Sequence, residues 1–207
     1  MKRLLSSLLL VAAAPALMAA DPLLGGDAEA GAKKAAVCAA CHGPGGNSVN
    51  PEWPKLAGQG APYLYAQLKD YKAGDRKNVL MSSQAANLSE QDMKDLAAYF
   101  ASQSGSPGVA AEAAVATAEP LHRGGNSERG IPACSACHGP AGKGNPASGY
   151  PALGGQHSVY TANVLRSYRS MDGSAELTAN QAIMATVAKQ LGDEEIEALA
   201  SYFQGLQ

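Results

Sequence analysis

The chain has 207 residues, with 16 basic against 18 acidic side chains and 46% hydrophobic residues. That near-neutral balance gives no global electrostatic reason to bind nucleic acid. The length suits one or two compact domains.

Met1 to Ala20 places Lys2 and Arg3 ahead of an apolar run from Leu4 through Ala14, followed by Pro15 and small residues before Asp21. This is the pattern of a secretory signal peptide. An uncleaved anchor is the alternative. Ser6, Ser7 and Pro15 interrupt the run, however, and it falls short of the roughly 20 apolar residues that a membrane span needs. Removal of residues 1–20 takes away Lys2 and Arg3, leaving 14 basic against 18 acidic residues and a net charge of −4.

Ala28 to Val37 carries strong helix formers behind Asp27, an acceptable N-cap, and leads into the first cysteine. Cys38-Ala39-Ala40-Cys41-His42 recurs as Cys134-Ser135-Ala136-Cys137-His138, and the two copies use all four cysteines. Each copy reads as an attachment site for a c-type haem. Helix residues three apart share a face, so one cysteine pair can add across the two vinyl groups of one porphyrin, and the following histidine then reaches the iron. A zinc site, a thioredoxin-like dithiol and two structural disulfides are the competing readings. Zinc and disulfides leave the paired histidines unexplained, and a dithiol would expect one motif beside a βαβ pattern.

Pro62 to Lys72 sets Tyr63, Leu64, Leu68 and Tyr71 on one side, the spacing of an amphipathic helix. Ser89-Glu90-Gln91-Asp92 opens the next helix with a capping box, and Leu96, Tyr99 and Phe100 follow on its buried face. From Ser102 to about Glu119, Gly105, Pro107 and Gly108 interrupt an alanine-rich stretch with too few large apolar side chains for a core, which reads as a linker.

Beyond the linker the chain repeats itself. The cysteine motifs lie 96 residues apart; Pro54-Lys55-Leu56-Ala57-Gly58-Gln59 answers Pro151-Ala152-Leu153-Gly154-Gly155-Gln156 at 97; Leu96-Ala97-Ala98-Tyr99-Phe100 answers Leu199-Ala200-Ser201-Tyr202-Phe203 at 103. Tyr63, Leu68 and Tyr71 likewise answer Tyr160, Leu165 and Tyr168, so six residues are inserted in the second copy after Tyr168. The expected organisation is a signal peptide over 1–20, a first domain over 21–103, a linker over 104–119 and a second domain over 120–207. The regular structure is all helical, Asp193 to Phe203 repeating the last helix, and the glycine-, proline- and asparagine-rich segments between helices read as loops around the haem. Units of this size are marginal on a hydrophobic core alone, and a covalent apolar cofactor would complete each one.

A histidine-ligated haem needs a second axial ligand for simple electron transfer, and methionine there raises the potential. Met81 lies 18 residues before Tyr99 and Met184 lies 18 before Tyr202, so these two share a place in the repeat and are the expected sixth ligands. Met93 answers Ile196 and reads as packing. Met171, in or beside the insertion, is the competitor for the second iron. His122 and His157 have no histidine counterpart in the other copy and read as surface or supporting residues, and Trp53 as a haem-packing aromatic.

Cys-x-x-Cys-His-Gly-Pro in both halves, Pro-x-Leu-x-Gly-Gln about a dozen residues later, Arg123-Gly124-Gly125-Asn126, Gly154-Gly155-Gln156-His157 and Ser201-Tyr202-Phe203-Gln204-Gly205-Leu206 together resemble the dihaem cytochromes c4. The resemblance implies two class I cytochrome c domains related by a pseudo-twofold, each around one covalent haem c, with the haems close at the domain interface through their propionate edges. It implies that Pro54 and Pro151 offer carbonyls to His42 and His138, and that the partners are a quinol-oxidising cytochrome complex and a terminal cytochrome c oxidase. The expected protein is a one-electron carrier without a chemical substrate, exported to the periplasm, either free or peripherally attached to the membrane. A dihaem peroxidase, which would need an open sixth position, and a ligand sensor or subunit of a larger enzyme are the alternatives.

Overall fold

The computed structural model describes residues 24–171 and 177–207; the signal-peptide reading of residues 1–20 lies outside the described residues. The first unit opens with α1 (Ala28–Lys34), whose N-cap Asp27 accepts from the Glu29 and Ala30 N–H groups. It continues through α2 (Ala39–His42), α3 (Ala61–Ala73), α4 (Val79–Ala85) and α5 (Glu90–Ala101). The second unit follows with α6 (Glu112–Gly124), α7 (Cys134–His138), α8 (Ser158–Arg169), α9 (Ala179–Lys189) and α10 (Asp193–Gly205). Among the described residues the only β pairings are two isolated bridges, Asn126 with Ile131 and Asn145 with Tyr150, so the molecule is all-α.

Three helices begin where the sequence says they should. The Ser89 hydroxyl accepts from Asp92 N–H while the Asp92 carboxylate accepts from Ser89 N–H, closing the capping box of α5. α3 starts with Pro62 in its first turn, where a missing N–H costs nothing, and α10 starts at Asp193.

Three differences have physical causes. Residues 112–119, within the expected linker, are the first turns of α6; Ala118 is fully buried and Val115 packs on the second core. Small alanines are what a tight helix crossing requires, so the low apolar bulk there marked close packing, and the non-helical connection ends at Ala111. α4 and α9 occupy segments expected to be loops. Each is capped by a polar side chain, Asn78 accepting from Met81 N–H and Thr178 from Gln181 N–H.

Each unit buries its own core. In the first, Ala35, Ala61, Leu64, Leu96, Ala97 and Phe100 cluster where α1, α3 and α5 meet. In the second, Leu121, Ile131, Leu165, Leu191, Ile196, Leu199, Tyr202 and Phe203 join Ala118, Ala162 and Ala200. α1 crosses α5 at Gly31, where an added Cβ would lie 2.1 Å from Asp95 O. The Asp95 carboxylate, 3% exposed as a residue, ties the crossing by accepting from Asp27 N–H at 3.0 Å, Lys34 Nζ at 2.7 Å and Gln91 Nε2 at 2.8 Å.

The units meet through reciprocal bonds that express the pseudo-twofold. Gln59 brackets Ala152, its Nε2 donating to Ala152 O at 3.0 Å and its Oε1 accepting from Ala152 N–H at 2.7 Å. Gln156 brackets Lys55 in the same way, both bonds at 2.9 Å. Gln59 and Gln156, like Lys55 and Ala152, are 97 residues apart.

Candidate functional site

Each Cys-x-x-Cys-His motif forms a short helix whose last residue is a buried histidine: His42 at the end of α2, 7% exposed, and His138 at the end of α7, 6% exposed. Gly43 and Gly139 follow at φ 75° and 79°, the left-handed region that glycine enters freely, and there the chain turns away. Pro54 then returns its carbonyl to 2.8 Å from His42 Nδ1, and Pro151 its carbonyl to 2.8 Å from His138 Nδ1. A carbonyl only accepts, so both Nδ1 atoms carry the proton and both Nε2 atoms present a lone pair. Burial holds both imidazoles below their usual range and outweighs the opposing carbonyl bonds; His122 adds to the lowering at His138. Two neutral rings with Nδ1 tied back and Nε2 free suit metal ligation.

The cysteines are all unpaired. Burial pushes the Cys134 thiol up to about 11 and raises that of Cys38. These two protonated thiols differ from the activated thiolate of a redox dithiol, and among the described residues no group of three or more His, Cys, Asp or Glu side chains is gathered so as to hold a metal ion. Thiols beside a histidine whose Nε2 carries a lone pair fit thioether attachment to a porphyrin.

Met81 sits in the first turn of α4 and Met184 in the second turn of α9. Both are half-buried, and Met184 packs against the second core, as do Cys134 and Leu153. Met93 is 4% exposed on α5, and its counterpart Ile196 is fully buried on α10. Met171 follows α8, with its N–H on Tyr168 O at 3.2 Å. Trp53 is half-buried.

His122 is not at the surface. It is fully buried on α6 between Tyr202 and Phe203, ring centroids 5.4 and 5.6 Å away, and its Nε2–H donates to Pro140 O at 3.1 Å. His157 Nε2–H crosses between the units to Ser48 O at 2.8 Å.

The sequence reading did not single out Arg76. It donates to Gln67 Oε1 at 2.6 Å and to Tyr160 Oη at 3.0 Å, with its guanidinium 4.8 Å from the centre of the Tyr71 ring. Burial alone would weaken its hold on the proton, but Tyr160, Tyr63 and Tyr71 reverse that effect. Enclosure in turn pushes Tyr71 up to about 12 and raises Tyr63 and Tyr168. The matched tyrosines of the repeat were the available signal, since they converge on this one cation.

The cytochrome c family model matches residues 28–104 and again 132–207, so both histidine cradles fall inside a match. The chain belongs to the cytochrome c family, in its dihaem cytochrome c4 branch. It is 50% identical to cytochrome c4 of Stutzerimonas stutzeri over 87% of this chain and 90% of that protein. It is 47% identical to cytochrome c4 of Pseudomonas aeruginosa over the full length of both. The crystal structure of reduced recombinant cytochrome c4 from Pseudomonas stutzeri superposes with a TM-score of 0.83 at 49% identity, covering 88% of this chain and all of that one. Like other cytochromes c4, the chain is a dihaem c-type electron-transfer protein with two covalent haem c groups. No helix among the described residues is long and apolar enough to cross a membrane.

Proposed function

We propose that His42 and Met81 ligate one iron and His138 and Met184 the other, with Cys38, Cys41, Cys134 and Cys137 forming the thioethers and Pro54 and Pro151 orienting the histidines. The observation that carries this reading is the matched pair of 2.8 Å Nδ1–H bonds, which leave Nε2 as the ligating atom in both units. The two methionines share a repeat position, and each lies on a helix with a polar cap. The domains we adopt are 21–103 and 112–207, the second enlarged by the first turns of α6.

The bound haem supplies a reversible one-electron couple. The chain would hold each iron through an imidazole tied back to a proline carbonyl and through a methionine sulfur, and its two apolar cores would limit water, so that little would rearrange when an electron arrived. With both sixth positions filled, the protein is a carrier and not an enzyme. We place it in the periplasm, between a quinol-oxidising cytochrome complex and a terminal oxidase. The signal-like sequence and the cytochrome c4 likeness support that placement.

The visible spectrum of the reduced holoprotein, recorded before and after carbon monoxide and with the haem-to-chain ratio measured, tests the ligation. Two haems per chain and an unchanged low-spin spectrum are expected. A large shift on one haem would put an accessible iron, and with it the peroxidase, in place of the carrier.

A further inference from the structure

The carbonyl that receives each buried imidazole belongs to a peptide whose N–H is bound from the opposite unit. His42 Nδ1–H donates to Pro54 O, and the N–H of that same Pro54–Lys55 peptide donates to Gln156 Oε1 at 2.9 Å. His138 Nδ1–H donates to Pro151 O, and the N–H of the Pro151–Ala152 peptide donates to Gln59 Oε1 at 2.7 Å.

A peptide group is a single conjugated unit. An acceptor on its N–H moves electron density toward its oxygen, and hydrogen bonds in series strengthen one another. Each glutamine therefore makes the opposite proline carbonyl a better acceptor and fixes the plane in which it meets the imidazole. The direction of both amides is settled by their neighbours. Gln59 Oε1 also accepts from Gly60 N–H at 2.9 Å, and Gln156 Oε1 from His157 N–H at 3.0 Å. A flipped amide would set its NH2 against two N–H groups. Gln59 is 7% exposed, so water is not a ready substitute.

We infer that Gln59 and Gln156 are crossed positioning residues, each setting the orientation and basicity of the proximal histidine in the opposite unit, so that docking of the units tunes both haems. The inference rests on the proposal that His42 and His138 ligate iron. A more basic imidazole favours the oxidised iron, so loss of a glutamine raises the potential of the haem across the interface.

The test uses Gln59→Met and Gln156→Met in the full-length dihaem protein, with each haem assigned through Met81→Leu and Met184→Leu. Redox titration is paired with proton NMR of the oxidised form, which reads the proximal Nδ1–H resonances. Gln59→Met is expected to raise the potential of the second unit's haem and move its Nδ1–H signal, with a smaller effect on the first; Gln156→Met gives the mirror pattern. Equal shifts of both haems would make the glutamines simple interface glue and overturn the inference, as would a shift confined to the glutamine's own unit or no shift. Gln59→Glu, which keeps an acceptor for Ala152 N–H, should not raise the second potential, and this arm stands if Gln59→Met fails to load haem. His138→Ala separates the two readings. If it retains two low-spin haems, the ligation proposal fails. If it loses one and the crossed pattern is absent, the glutamine inference fails alone.

Discussion

Met184 and Met171 are the residues on which the ligand assignment turns. Met184 lies on a capped helix against the second core, whereas Met171 lies past the end of α8. Replacing Met184 with leucine should remove the sulfur-to-iron charge-transfer band of one haem and lower that haem's potential, because axial methionine raises it. Met171→Leu should leave both haems ligated, and loss of a low-spin haem in that variant would overturn the repeat alignment. Asp95 offers a second test, in the first unit. Burial alone would raise its carboxyl, but Asp27 N–H, Lys34 and Gln91 outweigh burial and hold it low; Asp92 is held lower still by the Ser89 hydroxyl and Lys34. Both folded values lie below the unfolded ones, so their stabilisation is full above about pH 4 and is lost as pH falls through the depressed values. Asp95→Ala strands the Asp27 N–H and should cost about 1–3 kcal/mol at neutral pH. Thermal unfolding against pH should then show a shallower acid limb than the native protein.

The helix pairs show what the sequence made legible and what it did not. The capping box at Ser89 and the amphipathic spacing of α3 announce those helices in local residue types, and the cradle histidines follow from a five-residue motif. α4 and α9 were hidden because their starts depend on the Asn78 and Thr178 caps within polar segments, and α6 because its alanines resemble linker composition until α10 packs on them. Arg76 was missed for another reason: its partners Tyr71 and Tyr160 come from different units, so the matched tyrosines hinted at a shared site while nothing local tied this arginine to it. Gly31 is similar, an ordinary small residue in α1 until α5 crosses it. Gly31→Ala gains about 1 kcal/mol of helix propensity but drives a methyl into the Asp95 carbonyl, 2.1 Å from the ideal Cβ position. Backbone on both sides cannot yield as a side chain would, so the net effect should be a loss of about 2 kcal/mol or more. Denaturant unfolding of the loaded protein measures it, and a neutral result would mean that α1 can slide on α5.

At the scale of the whole molecule, the two histidine cradles are alike, both imidazole-to-carbonyl bonds being 2.8 Å, while their surroundings differ. Met81 stands in the first turn of its helix beside Val79 and Leu80, 89% and 65% exposed; Met184 stands a turn deeper, beside Ile183 at 45%. The interface is lopsided as well. Arg76 comes from the first unit, and its tyrosine shell draws on both. A symmetric pair of haems would titrate as one, but sites with unequal ligand helices and an unshared cation should show two distinguishable potentials. A half-buried cation disfavours the more positive, oxidised iron, and its field reaches further on the side where protein replaces water. Arg76→Met should therefore lower the potential of the haem nearer to it more than that of the other, changing the separation between the two waves. Spectroelectrochemical titration of the variant beside the native protein decides this. Two unmoved waves would show that solvent screens Arg76, and a single wave in the native protein would show that the matched cradles alone set both potentials.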